Sequence, residues 1–205
     1  MHLPLQLGQG SCQLRRSAGA QSPLLLGQKC GAPLDTHCSH ALNCPIGGGP
    51  TRRHNAIRDA VANWLRTLGH HASIEQTIGE WCSPDHGQAV LDVVYYSGVH
   101  DRICLDISVI DSVAVAATQG GRSYAAALQR REREKHARYP HRGLVPFAVD
   151  MNGRWGMEAE NWMRRVLSEL PEAERHDARC SLRSAVARGL HSQVAAQVAH
   201  ATEQE

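Results

Sequence analysis

Two short apolar arms, each with one aspartate near its centre, constrain this chain more than any other feature. Residues 89–96 (AVLDVVYY) and 102–110 (RICLDISVI) flank the turn residues Ser97 and Gly98. Runs this rich in Val, Ile, Leu and Tyr, bounded by turn residues, predict two strands of a β-hairpin. Asp92 interrupts the first arm and Asp106 the second. A carboxylate set between Leu91 and Val93, or between Leu105 and Ile107, is costly to bury without a partner or a metal. In the second arm Ile103, Leu105, Ile107 and Val109 alternate with Cys104, Asp106 and Ser108, which predicts one core face and one face carrying the acid. Two carboxylates at neighbouring strand centres can converge on one Mg²⁺, a hard cation that takes oxygen ligands and keeps several waters. Such an ion activates water and stabilises charge on a phosphodiester. Asp111, Glu75 and Glu80 are further acids nearby. Two half-exposed aspartates on a solvated face form the plainer alternative, and the apolar flanks weaken it.

The rest of the chain reads as cover for that hairpin. The 205 residues allow one domain of ordinary size plus a small appendage. With aromatics at 4% and a single Phe, the core must rest on Ala, Val, Leu and Ile. Ile57, Val61, Trp64, Leu65 and Leu68 stand at helical spacing in residues 54–68, and Gly69 stops the helix. A short strand follows at 72–77. After the hairpin come a helix over about 122–139, a strand at 144–149 that Pro146 weakens or assigns to a sheet edge, the turn Asn152-Gly153, and a helix over about 158–170. A last helix spans 176–201, with Leu182, Val186, Leu190, Val194 and Val198 at four-residue steps. The order predicts an α/β (α+β) architecture, a small mixed sheet flanked by helices. The expected organisation is a poorly ordered segment at 1–27, a small Cys/His unit at 28–53, the main domain at 54–170 and a helical extension at 171–205. Apolar runs such as Val113 to Ala117 are too short to span a bilayer, and no secretory signal is apparent.

Seven cysteines without such a signal argue against a disulfide framework. Cys30, Cys38 and Cys44 fall within fifteen residues, with His37 and His40 among them. The segment is too short to fold by burial. Zinc takes four tetrahedral sulfur or nitrogen ligands in closed structural sites. Cys30, Cys38, His40 and Cys44 give C-x7-C-x-H-x3-C; the last pair suits one helical turn, the first interval is loose, and His37 could replace Cys38.

A formal charge of +2 neither demands nor excludes nucleic acid. Arg dominates the basic residues, in one cluster at Arg52, Arg53 and His54 and another at 130–142 (RREREKHARYPHR). Fork-shaped guanidinium donors suit phosphate contacts, although a solvated helix face explains the same pattern. Lys135 is the only lysine besides Lys29. A helix packed across the sheet would aim it at the acids, where it could assist an attacking water; spacing alone favours an ordinary solvated lysine.

The string C-G-A-P-L-D…H-A-L-N-C-P…G-G…R-R-H-N-A-I-R-D-A resembles the zinc knuckle and following helix of LINE-type (non-LTR) retrotransposon polyproteins. The segments L-D-V-V-Y-Y, C-L-D-I-S-V-I-D, E-K-H-A-R-Y and V-P-F-A-V-D-M-N-G-R-W-G are similar to the restriction-endonuclease-like, PD-(D/E)XK, domain of those polyproteins. Together they cover about residues 28–170. The resemblance implies a Mg²⁺-dependent endonuclease that nicks target DNA, preceded by a Zn²⁺ knuckle, with element RNA as a second candidate partner and a nuclear location in a eukaryotic host. It implies metal-binding roles for Asp92 and Asp106, and a role near the scissile phosphate for Lys135, with Tyr139 beside it. His54 matches the family's R-H pair. Arg52, Arg53, His54, Arg131, Arg138 and Tyr139 are the expected DNA contacts. Two departures stand out: Ser108 replaces the usual lysine two residues after the second acid, and Gln28 stands where the knuckle's first cysteine often sits. No reverse transcriptase precedes the domain, so a fragment, a degenerate copy and a separate host gene are all open. An inactive nucleic-acid-binding remnant is the alternative reading.

Overall fold

A computed structural model of the chain describes residues 30–32, 39–46, 48–98, 101–112 and 124–202. The expectations for residues 1–27, for His37 and Cys38, and for the run 113–117 lie outside these. The described part is a mixed α/β fold in which helices flank a four-stranded sheet. Two units emerge, residues 1–53 with 191–205, and residues 54–190. Among the described residues no helix is long and apolar enough to cross a membrane.

In the smaller unit, helix α1 is the single turn Ser39–Asn43, and helix α2 (Gly49–Thr67) begins there before continuing into the larger one. Pro50 sits in the first helical turn, where its missing N–H would have had no intrahelical acceptor, so the helix starts at Gly49. At the far end Gly69, at φ +88°, takes the left-handed conformation. His70 N–H then donates to Leu65 C=O at 3.0 Å and Gly69 N–H to Arg66 C=O at 3.0 Å, which closes the last carbonyls. The helix buries Ile57, Val61, Trp64 and Leu65, as their spacing predicts.

In the larger unit, strands β1 (Ser73–Thr77), β2 (Val90–Ser97) and β3 (Asp101–Ile110) form an antiparallel meander. Helix α3 (Tyr124–Arg138) leads to β4 (Leu144–Asp150), which lies parallel to β3. Pro146 is tolerated because β4 is the last strand of the sheet. Met151 N–H donates to Ile110 C=O, whereas Ala148 C=O and Asp150 N–H bond to Gly156 and Arg154. Even-numbered residues of β4 therefore direct their backbone groups away from β3, and the proline leaves no ladder bond unmade.

Strand β3 departs from the expected alternation. Residues 104–108 are all buried, so both faces are covered rather than one. On one side lie Leu91, Cys104, Tyr139 and Leu144 with Trp81 and Ile78. Helix α4 (Met157–Ser168) buries Trp162, Met163, Val166 and Leu167. Trp162 stands edge-on to Trp64, Phe147 and Tyr95, with ring centroids 5.8, 5.6 and 6.5 Å away. Its indole N–H donates to the Tyr95 hydroxyl at 2.9 Å. Burial pushes that hydroxyl's pKa up to about 12, which keeps it neutral and able to accept. Helix α5 (Glu172–Thr202) buries Leu182, Val186 and Leu190 in the same unit.

A buried acid without an obvious partner in sequence joins α3 to α4. Glu132 is 4% exposed, and its Oε1 accepts the Glu158 N–H at 2.9 Å, in the first turn of α4. A Cβ at Gly156 would overlap that carboxylate, so only glycine lets the two elements approach. Burial raises the Glu132 pKa above its ordinary 4.5, and the Glu158 N–H only partly offsets this. Ionising Glu132 therefore costs stability in the fold, a cost absent below the unfolded pKa and complete above the folded one. Glu132→Gln keeps the acceptor but cannot ionise. Its urea midpoint relative to wild type should rise as pH increases through and above the carboxylate range; a pH-independent difference would contradict this account.

The only Phe in the chain, Phe147, is fully buried between Trp155 and Trp162. Phe147→Ala should lower unfolding free energy by about 3–5 kcal/mol. Chemical denaturation would check this, and a loss under about 1 kcal/mol would mean that the aromatic cluster repacks.

Candidate functional site

Helix α3 and strand β3 run in opposite directions with matched spacing. Four residues of helix advance about 6 Å and two residues of strand about 6.6 Å, so every fourth residue of α3 meets every second residue of β3. Arg131 Nε donates to Ser108 Oγ at 3.1 Å. Lys135 Nζ donates to Asp106 Oδ1 at 2.7 Å. Tyr139 joins Cys104 in one apolar cluster. The side chain of Asp106 is 9% exposed and that of Lys135 is 12%, so the pair is largely removed from water. Burial pushes the Asp106 carboxyl above its ordinary range; the Lys135 charge pulls it down and the nearby Asp92 charge pushes it up.

Asp92 approaches from β2. The pairing of β2 with β3 reaches as far as Val93 and Leu105, the neighbours of Asp92 and Asp106, and the two acids lie near enough for the charge of one to act on the other. Asp92 Oδ2 accepts the Ile107 N–H at 2.6 Å, and Oδ1 bonds to His54 Nε2 at 2.8 Å. The Tyr139 hydroxyl feels both acids: burial raises its pKa first, and Asp106 and Asp92 add to the rise while Arg138 opposes it. Beside Asp92 in register stands Glu75 of β1, at φ +52° the only described non-glycine residue with positive φ. Such conformations cost of order 1–3 kcal/mol and concentrate near functional sites.

The other acids have partners or surroundings of their own. Glu75 is held by Arg58, and Glu80 by Arg102. Asp111 lies five residues beyond Asp106, roughly 16 Å along an extended strand. It is itself buried. Asp150, fully buried, accepts from Ser112 Oγ, from the Asn152 and Arg154 N–H groups and from Arg154 Nε at 2.7–2.9 Å, which shapes the turn before α4.

Of the expected DNA contacts, Arg52 and Arg138 are exposed and Arg131 partly so. Arg138 donates to His86 C=O at 3.4 Å and lies 5.0 Å from the centre of the Tyr139 ring. Two expectations are corrected. Arg53 is 1% exposed, with its guanidinium donating to Leu42 C=O and Gln197 Oε1, so it cannot reach phosphate. Tyr139 is 3% exposed against Trp81 and is part of the core beneath the acids. His54 is half-buried and faces Asp92 rather than solvent alone. Spacing gave no sign of that contact, which bridges 38 positions; only the R-H pair drew attention to the residue.

In the smaller unit, His40 lies in α1 and Cys44 immediately follows its last residue. With Cys30 they bring three donor atoms within 4.8 Å of one another, and Cys30 Sγ is 3.1 Å from His40 Nε2. Cys38 lies outside the described residues. Two soft sulfurs and one imidazole nitrogen at such spacing suit zinc, whereas the hard oxygens of Asp92 and Asp106 suit a cation that retains waters. No protein-family model matches the sequence, and no curated protein matches it either.

Proposed function

We propose that this chain is a Mg²⁺-dependent DNA endonuclease of the PD-(D/E)XK type that nicks a target strand, with a Zn²⁺ knuckle in residues 28–53, as in the C-terminal part of non-LTR retrotransposon polyproteins. The observation that carries the reading is the Lys135–Asp106 contact, with Asp92 close enough for its charge to act on Asp106. It assembles two acids and one lysine from three elements, with the lysine delivered from α3 because Ser108 occupies the strand position.

Asp92 and Asp106 would hold the magnesium, which when bound lowers the pKa of a coordinated water and offsets charge on the phosphodiester. His54 Nε2 and the Ile107 N–H fix the Asp92 carboxylate from two sides, so its orientation is set before any ligand arrives. Lys135 places a positive charge in a site of low polarity, where it stabilises negative charge developing on the phosphoryl oxygens. Arg52, Arg131 and Arg138 offer donors for the DNA backbone, and a nuclear location follows for a eukaryotic host.

Conversion of supercoiled plasmid to open circles in Mg²⁺ tests this reading. Asp106→Ala and Asp92→Ala should abolish nicking, and Lys135→Ala should slow it about 10²–10⁴-fold. Wild-type activity no greater than that of Asp106→Ala would remove the enzyme.

A second reading has its own observation: each acid already has a basic or N–H partner, the arrangement expected of an inactive remnant that binds nucleic acid alone. For that reading, DNA affinity should fall steeply with salt and survive Asp106→Ala. Salt-insensitive or absent binding would eliminate both.

A further inference from the structure

The short turn that presents His40 and Cys44 cannot stand alone. A five-residue helix is far below the length at which helices hold themselves together. Its last carbonyls have no donors within the helix. Two side chains answer one carbonyl within the turn and one just after it. The Arg53 guanidinium donates to Leu42 C=O, and Gln197 Nε2 donates to Cys44 C=O at 3.3 Å. Arg53 also donates to Gln197 Oε1, so one guanidinium and one carboxamide form a continuous polar bridge from α1 to the C-terminal part of α5. Gln197 is fully buried. Gly49 makes the approach feasible, because a Cβ there would overlap the Gln197 carboxamide.

From this we infer that Gln197 is a positioning residue of the Cys30–His40–Cys44 metal site, and that zinc binding and docking of residues 191–202 are one coupled event. The inference rests on the zinc reading of the Cys/His segment. Its physical basis is that Gln197 bonds the backbone of a ligand residue itself. Partners one bond removed from the ligands hold them in the binding geometry, and losing one typically costs about 10–100-fold in metal affinity. Reciprocally, metal that fixes Cys44 fixes the carbonyl on which Gln197 docks.

The test uses the full-length protein, stripped of metal and titrated with Zn²⁺ against a chromophoric chelator, with Co²⁺ absorption reporting sulfur coordination. Wild type should bind one Zn²⁺. Gln197→Ala should bind at least about tenfold more weakly. Gly49→Ala, which retains Gln197 but displaces its carboxamide, should weaken binding in the same direction. Hydrogen exchange in 191–202 should slow on zinc addition in wild type and respond less in either variant. Unchanged zinc affinity in both variants, with exchange in 191–202 indifferent to zinc, would overturn the coupling while leaving the metal site intact. Wild type that binds no zinc, or whose Co²⁺ spectrum is untouched by Cys44→Ala, would instead overturn the zinc reading beneath it.

Discussion

A carboxylate at the centre of a strand covered on both faces must be answered by an opposite charge or be protonated, and the environment of Asp106 shows that tension. Burial favours its neutral form and Asp92 adds to the effect, while Lys135 at 2.7 Å favours the ionised one. Pairs of this kind rarely add net stability, because the desolvation of two ions offsets their attraction. Their presence therefore calls for a reason other than stability. Here the pair sets how α3 lies on β3. With Lys135 opposite Asp106, Arg131 falls at Ser108 and Tyr139 at Cys104, and the helix leads into a β4 strand parallel to its neighbour.

The two units of this protein hold themselves together by different physics. The larger one buries Leu, Val, Ile and a cluster of tryptophans, with Phe147 and Tyr95, around its four-stranded sheet. Its buried polar groups are paired: Glu132 with the start of α4, Asp150 with its turn, Tyr95 with Trp162. Among the described residues of the smaller unit, Cys44 is the one buried apolar side chain. Its short turn depends on side chains that answer its backbone carbonyls and on three soft donors gathered at one point. That contrast explains why a buried arginine and a buried glutamine, both costly in an apolar core, are acceptable there.

Residues assigned by type alone were the least legible. An arginine beside a histidine at a helix start suggests phosphate, yet Arg53 turns inward to bind a carbonyl and a carboxamide 144 positions away. Tyr139, in a basic stretch, is covered because it follows α3 directly, its N–H donating to Lys135 C=O, and packs against Trp81. Glu132 is hidden for a similar reason: its partner is a backbone N–H, and backbone groups leave no mark on composition. Gly49 and Pro50 would break a helix in its interior, yet both open α2, because at a first turn neither disrupts it.

Sequence periodicity by itself determined the element order and the strands and helices that carry the acids, since burial of a pleated or helical face imposes spacings of two or of about 3.6 residues whatever the partner. It also singled out Asp92, Asp106 and the Cys30, His40, Cys44 donors, because polar groups in apolar strands and clustered soft ligands are conspicuous locally. Only the tertiary structure decided that β3 is covered on both faces, that Lys135 rather than a solvated neighbour meets Asp106, that His54 holds Asp92, and that Gln197 reaches Cys44. Each of those contacts joins residues 29 to 153 positions apart, where no local spacing acts and only the packing of whole elements brings the atoms together.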